Sequence, residues 1–290
     1  MRLIHVTDPH LTPPPAWRSY RGRSQLGKRY LGYASWWRRR RHSLRESWYL
    51  DLVEAVHQAA PDCILLSGDL TQTGTVEEID AAAGWLKKLG DPERVLLVPG
   101  NHDLYASESW PRAAQAWADY LHVQEAGYPV SSKLGGVLLV GLCSAEPTWP
   151  FSATGQLGED QRQRLAALLA QQAGAVKVVM LHHPPLPHMV QARKRLRDAV
   201  DLQTILKAQG ADIVLHGHQH RNRLVTSGDL RVFCTAPASS EDACFRIFDI
   251  ETAAEGARVT MELRQRTARG SSAGGFETVE TANWWISARA

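Results

Sequence analysis

Five short apolar runs in this chain each stop at a cluster of Asp, Asn or His, and no other feature restricts the fold as much. Residues 3–6 end in Thr7-Asp8-Pro9-His10, and residues 62–66 end in Ser67-Gly68-Asp69. Residues 95–98 run through Pro99 into Gly100-Asn101-His102-Asp103. Residues 176–181 end in His182-His183, and residues 212–215 in His216-Gly217-His218-Gln219-His220. Such runs read as buried parallel strands, and α/β sheets bind ligands beyond the carboxyl ends of their strands. Carboxylates, imidazoles and an amide are therefore delivered together to one edge.

Helical patterns separate the runs, at about 43–60, 75–89, 110–121, 159–171 and 198–209. Gly135-Gly136 between apolar stretches predicts a two-residue hairpin turn. Residues 145–157 read as a loop, and strands dominate from 224 to 263. The order predicts an α/β chain with two sheets face to face and helices outside. One domain over 1–265 is expected, carrying an insert at 12–45 and followed by a tail at 266–290.

Hydrophobic content of 44% and charged content of 22% exclude a disordered chain. No stretch approaches the roughly 18 apolar residues of a spanning helix. Met1-Arg2 runs straight into the first strand with no apolar leader, so a cytoplasmic location is expected. Cys63, Cys143, Cys234 and Cys244 lack paired spacing and read as buried, reduced thiols.

Asp8/His10 and His218/His220 are two residues apart. In extended chain that spacing puts both side chains on one side, so each pair is expected to grip one ion. Asp, His and Asn without thiolate suit manganese, iron or zinc. The ligands are too many for one four-coordinate ion, and two ions sharing a carboxylate would use them all. Each cluster taken singly would read as a turn or a core histidine; five in order at successive strand ends do not.

The five-part set resembles the motifs of the calcineurin-like metallophosphoesterases, from residue 3 to about 236. The resemblance implies a four-layer α/β/β/α sandwich. It implies one ion on Asp8, His10, Asp69 and His220, and a second on Asp69, Asn101 (through its amide oxygen), His182 and His218. It further implies hydrolysis of a phosphodiester or pyrophosphate bond, two cations lowering the pKa of a shared water and clamping the phosphoryl oxygens. His102, not needed as a ligand, is expected to stabilise charge or protonate the leaving oxygen. Asp103 either orients His102 or caps the following helix. His183 is expected to back the ligands, and His216 to pack or to support them.

Between Asp8 and Glu46 there is no acidic residue. Arg18, Arg21, Arg23, Lys28, Arg29, Arg38–Arg41 and Arg45 alternate there with Trp17, Tyr20, Tyr30, Tyr33, Trp36 and Trp37. Such a segment grips an anionic membrane surface, here through residues 17–41, holds nucleic-acid phosphates and stacks bases, or stands as a solvated basic loop. A second basic patch, Arg193-Lys194-Arg195 with Arg197, and the nearby His188 are expected to meet substrate. The insert resembles one in bacterial members acting on lipid precursors, which implies a UDP-diacylglucosamine-type substrate. The common branch of those pyrophosphatases carries Arg where this chain has His102. A cyclic-nucleotide phosphodiesterase is the alternative, and a nuclease or nucleic-acid binder using the Arg-rich arm the rival of another class.

Overall fold

The computed structural model describes residues 1–20, 26–39, 46–172, 174–267 and 275–289. Arg21, Arg23, Arg40, Arg41, Arg45 and the Gly/Ser-rich stretch around 270–274 lie outside the described residues.

Two mixed sheets form the centre. In the first, β1 (Arg2–Val6), β2 (Cys63–Leu66) and β3 (Val95–Leu97) run parallel. In the second, a hairpin of β4 (Val130–Leu134) and β5 (Val137–Gly141) leads into β6 (Val176–Met180), β7 (Ile213–His216), β8 (Arg223–Ser227) and β9 (Leu230–Cys234). Its order is β4-β5-β6-β7-β9-β8. The chain then returns to the first sheet as β10 (Cys244–Ala253), antiparallel to β1, and adds β11 (Gly256–Arg266) and β12 (Phe276–Ser287).

Alternation along the strands builds the layers. Leu3, Leu65 and Leu96 point inward against Leu139, Val178, Met180 and Leu215 of the facing sheet. Ile4, Val6 and Leu66 point outward, onto Leu52 and Val56 of α2 (Glu46–Gln58) and Ile79 and Leu86 of α3 (Val76–Leu89). On the far side Leu138, Val140 and Val214 meet α6 (Glu159–Ala170) and α7 (Ala199–Ala208). This is the expected four-layer sandwich. The short α4 (Ser109–Ala116) and α5 (Ala118–Leu121) follow β3. No described helix is long and apolar enough to cross a membrane.

Two stretches depart from the sequence reading. Residues 276–287, expected in a tail, form β12, and Trp284 stacks on Phe233 of the other sheet at 5.8 Å beneath the Arg231 guanidinium. The insert, expected as a polar stretch, contains α1 (Leu26–Arg39). Two of its basic residues turn inward. Lys28 Nζ donates to the Tyr105 carbonyl and to Thr148 Oγ1, lies 4.4 Å from the Tyr105 ring, and is pushed down to about 8 by burial and Arg29. Arg29 pairs with Glu108 and donates to the carbonyls of Thr73 and Gly74. Lys28→Met removes two hydrogen bonds and a cation–π contact, together about 1–3 kcal/mol. Amide hydrogen exchange across residues 30–38 is expected to speed up about tenfold or more, and unchanged exchange would show that Lys28 does not hold the helix.

Candidate metal centre

The carboxyl ends of β1, β2 and β3 meet those of β6 and β7 at one edge. Gly68, at φ +87°, turns the chain after β2, and its hydrogen faces the Gly100 backbone so closely that a side chain would collide. Gly100 packs against Asp69 in the same way. The two loops are thus pressed together and their polar side chains share one space.

Asp8, His10, Asp69 and His220 place one ligand atom each within 4.8 Å of one another. His182 Nε2 lies 3.3 Å from Asp69 Oδ2, 3.2 Å from Asn101 Oδ1 and 3.2 Å from His218 Nδ1. Asp69 stands between the two groups. The structure therefore brings together all seven residues expected as ligands.

Extended chain is not what does it. Asp8, His10, Asp69, His218 and His220 all have positive φ, between 42° and 68°. The i, i+2 argument from strand geometry is wrong here: the pairs converge through left-handed turns. Asp8 N donates to the Gly68 carbonyl, His10 N to the Asp69 carbonyl and His218 N to Asp8 Oδ2, which holds the turns in place. Each such residue costs about 1–2 kcal/mol, the kind of strain that folded chains keep at functional sites.

Four of the expected ligands are aimed by a partner behind them. The Thr71 carbonyl is 2.8 Å from His10 Nδ1 and the Ser67 carbonyl 2.7 Å from His182 Nδ1. Those nitrogens donate to the carbonyls, which turns both Nε2 atoms toward the cluster, where a metal would take them. Thr7 Oγ1 donates to Asp8 Oδ2, and His102 N to Asp69 Oδ1. The other oxygens, Asp8 Oδ1 and Asp69 Oδ2, are buried without a hydrogen-bond partner. Carboxylate oxygens facing imidazole lone pairs repel unless a proton or a cation lies between them, so the donor set fits divalent metal.

The titration behaviour agrees. Burial would raise the Asp69 carboxyl, but the imidazoles of His182, His102 and His10 hold it well below its usual range. Burial lowers His182, but Asp69 and Asp8 overrule it and raise the ring to about 9. At pH 7 the metal-free ring then carries a proton that metal must displace. Loading metal at pH 7 is expected to release about one proton from this ring, read from the buffer dependence of the binding heat. His218 is held well below its usual value by burial first, with His182 and Lys194 acting in the same direction.

Asp103 does something other than expected. His102 Nδ1 is anchored 2.5 Å from the Gln72 carbonyl, not by a carboxylate. The Asp103 oxygens accept from the backbone amides of Asp69 (2.8 Å), Gly100 (2.9 Å) and Thr71 (3.0 Å) and from the Thr71 hydroxyl. It neither orients His102 through Nδ1 nor caps a helix; it ties the Asp69 and Asn101 loops to each other. Burial and the Asp69 carboxylate push it up to about 7.

His183 is neutral at about 3 through burial and His182, and its Nδ1 meets Ser144 Oγ at 2.9 Å behind His218. His216 Nδ1 meets the Gly217 carbonyl. Arg197, expected at substrate, is spent on Glu146 and Gln156. Arg193, Arg195 and His188 are exposed, without a contact to the cluster among those described. Lys194, between two of the named arginines, is the basic residue whose charge reaches His218.

Sequence reasoning overlooked the loop after Asp69. Thr71, Gln72 and Thr73 offer successive carbonyls to His10, His102 and Arg29. The buried Glu78 pins this loop by accepting from the amides of Gln72, Thr73 and Thr75 while completing the Thr75 capping box of α3. The Thr-Val-Glu-Glu spacing was the available signal.

Asp8, His10, Asp69 and His220 are grouped closely enough to hold a metal ion, with His182, Asn101 and His218 beside Asp69, an arrangement of the metallophosphoesterase class. The chain belongs to the calcineurin-like phosphoesterase family, whose model matches residues 1–222. It is 28% identical over 188 residues to a probable cyclic nucleotide phosphodiesterase of Synechococcus, a match covering 63% of this chain and 67% of that one. It is 27% identical over 221 residues to a cAMP/cGMP dual specificity phosphodiesterase of Mycobacterium tuberculosis, covering 72% of this chain and 63% of that one. The fold matches a purple acid phosphatase from yellow lupin at TM-score 0.59 and 11% identity, over 98% of this chain and 53% of that one. The UDP-diacylglucosamine substrate expected from the insert finds no support in these relatives.

Proposed function

We propose that the protein is a dinuclear metal-dependent phosphodiesterase acting on cyclic nucleotides. The observation that supports the metal chemistry is the pair of buried oxygens without a hydrogen-bond partner, Asp8 Oδ1 and Asp69 Oδ2, facing the Nε2 atoms of His220 and His182. Asp8, His10, Asp69 and His220 would hold one ion, and Asp69, Asn101, His182 and His218 the other. When bound, the ions supply the positive charge that activates water and neutralises phosphoryl oxygens. Similarity to the cyanobacterial and mycobacterial phosphodiesterases supports the substrate class.

The remaining work falls to this chain's own groups. His102 holds the Nδ1 proton on the Gln72 carbonyl, and Nε2 delivers a proton to the leaving ester oxygen. Its amide, donating to Asp69 Oδ1, keeps the ring in register with the shared carboxylate. His102→Ala is expected to lower kcat about 10²–10⁴-fold with both metals retained. Retained kcat, or loss of metal, would remove His102 from the proton step.

The substrate reading is tested with purified, Mn²⁺-supplemented protein against cAMP, cGMP, a UDP-linked diacylglucosamine and oligonucleotides. Hydrolysis of the cyclic nucleotides in preference to the others is the expected result. Turnover confined to the nucleotide-linked lipid or to oligonucleotides would overturn it.

A further inference from the structure

The outer surface of the insert is built the wrong way round for a helix that meets only water. A surface helix hides its apolar face and exposes its charges. In α1, Lys28 and Arg29 are 7% and 1% exposed, while Leu31 and Trp37 are 42% and 52% exposed. Trp17, also 42% exposed, lies against Tyr30 of the same helix with ring centroids 6.4 Å apart.

The adjoining loop extends this surface. Thr148 is tied to α1 through Lys28, and next to it Trp149 and Phe151 are 86% and 77% exposed, the two most exposed large hydrophobic side chains among the described residues. Their exposure is constructed. Thr148 Oγ1 donates to the Ser152 carbonyl and Ser152 N to the Trp149 carbonyl, closing a tight turn with both side chains on its crest.

Charge surrounds the apolar crest. Exposed Arg18 and Arg38 sit on the insert side. Exposed Arg193 and Arg195 sit on the other, their carbonyls accepting from Ala153 and Gly155 just beyond the crest. The nearby carboxylates are already used: Glu108 by Arg29 and Glu146 by Arg197. Residues 9–45 contain no acidic residue to oppose an anionic partner.

We propose that this face docks onto an anionic lipid bilayer, Trp149 and Phe151 entering the interface and the arginines meeting acidic headgroups. Indole and phenyl rings at a crest with guanidinium groups around them match the polarity gradient of a membrane surface. A nucleic acid would want stacking rings within the cationic groove rather than an aliphatic Leu31 and two rings standing clear of it. Docking goes beyond the catalytic reading. The His102 ring lies 5.7 Å from that of Tyr105, whose carbonyl accepts from Lys28, so the docking face is linked to the candidate centre through α1.

Binding is read by sedimentation and not by hydrolysis of a cyclic nucleotide, so its failure is separable from failure of the substrate assignment. Full-length protein is co-sedimented with vesicles of phosphatidylcholine, with and without phosphatidylglycerol. Binding is expected only with phosphatidylglycerol, and salt at about 0.5 M should weaken it. The Trp149→Ala/Phe151→Ala double variant should bind about tenfold more weakly or worse. Its metal content and turnover of a small aryl phosphodiester should be unchanged, which shows that it is folded. Leu224→Ala/Val279→Ala, at exposed apolar positions on β8 and β12, should bind as wild type does. No binding to acidic vesicles, equal binding to neutral ones, or a double variant that binds normally would overturn the proposal. So would aromatic-dependent binding to oligonucleotides in place of vesicles.

Discussion

Asp69→Asn is expected to fold, to lose metal at both positions and to turn over a phosphodiester about 10³-fold more slowly or worse. Asp69 Oδ1 is occupied by the His102 amide, and an asparagine oxygen serves there equally well. Oδ2 is the atom that matters, lying 3.3 Å from His182 Nε2 and 3.9 Å from His10 Nε2 with no donor of its own. At pH 7 the metal-free His182 ring carries a proton toward Oδ2, and a neutral amide there gives up that buried ion pair. The metal-free variant should therefore be less stable than metal-free wild type. Metal analysis, a melting curve without metal and turnover of an aryl phosphodiester read the three parts. Two metals retained, with activity within about tenfold of wild type, would show that Asp69 does not bridge the groups.

Asp103→Ala is expected to cost about 3–5 kcal/mol of stability. The substitution leaves the buried amides of Asp69, Gly100 and Thr71 and the Thr71 hydroxyl without their acceptor. These groups belong to the two loops that carry Asp69 and Asn101, so metal affinity should fall along with stability. Denaturant midpoint and metal titration measure both. A loss under about 1 kcal/mol with normal affinity would mean that the loops hold their shape without the clamp. Asp103→Asn, which keeps one oxygen, should fall between the two.

Much of this centre was legible because its ligands sit at the ends of apolar runs. The side chains of residues 3–6, 62–66, 95–98, 176–181 and 212–215 alternate between two cores, so their ends must reach one edge. The roles behind the ligands were not legible. Ser67, Thr71 and Gln72 act through backbone carbonyls, which any residue possesses, so composition carries no trace of them. Asp103 reads as a carboxylate beside a catalytic imidazole, but its oxygens were taken by amides from a loop 34 residues away. Arg197 reads as a substrate cation until Glu146 is seen beside it.

Two elements escaped for opposite reasons. Helix α1 turns Lys28 and Arg29 inward and leaves Leu31 and Trp37 exposed, so periodicity argues against a packed helix. Strand β12 follows a Gly/Ser-rich stretch and exposes most of its residues, and only its pairing with β11 and the stacking of Trp284 make it part of the sheet.

The sequence by itself determined the two-sheet architecture and pointed to seven candidate metal-seeking side chains, because strand alternation and ligand chemistry are local properties; the resemblance of its motifs to a known family pointed to the reaction class. The tertiary structure decided how those side chains converge, through left-handed turns where extended strands were expected. It also decided which of the many charges are spent internally and which aromatic side chains remain exposed beside the centre. Those outcomes depend on contacts between residues far apart in the chain, and no local pattern encodes them.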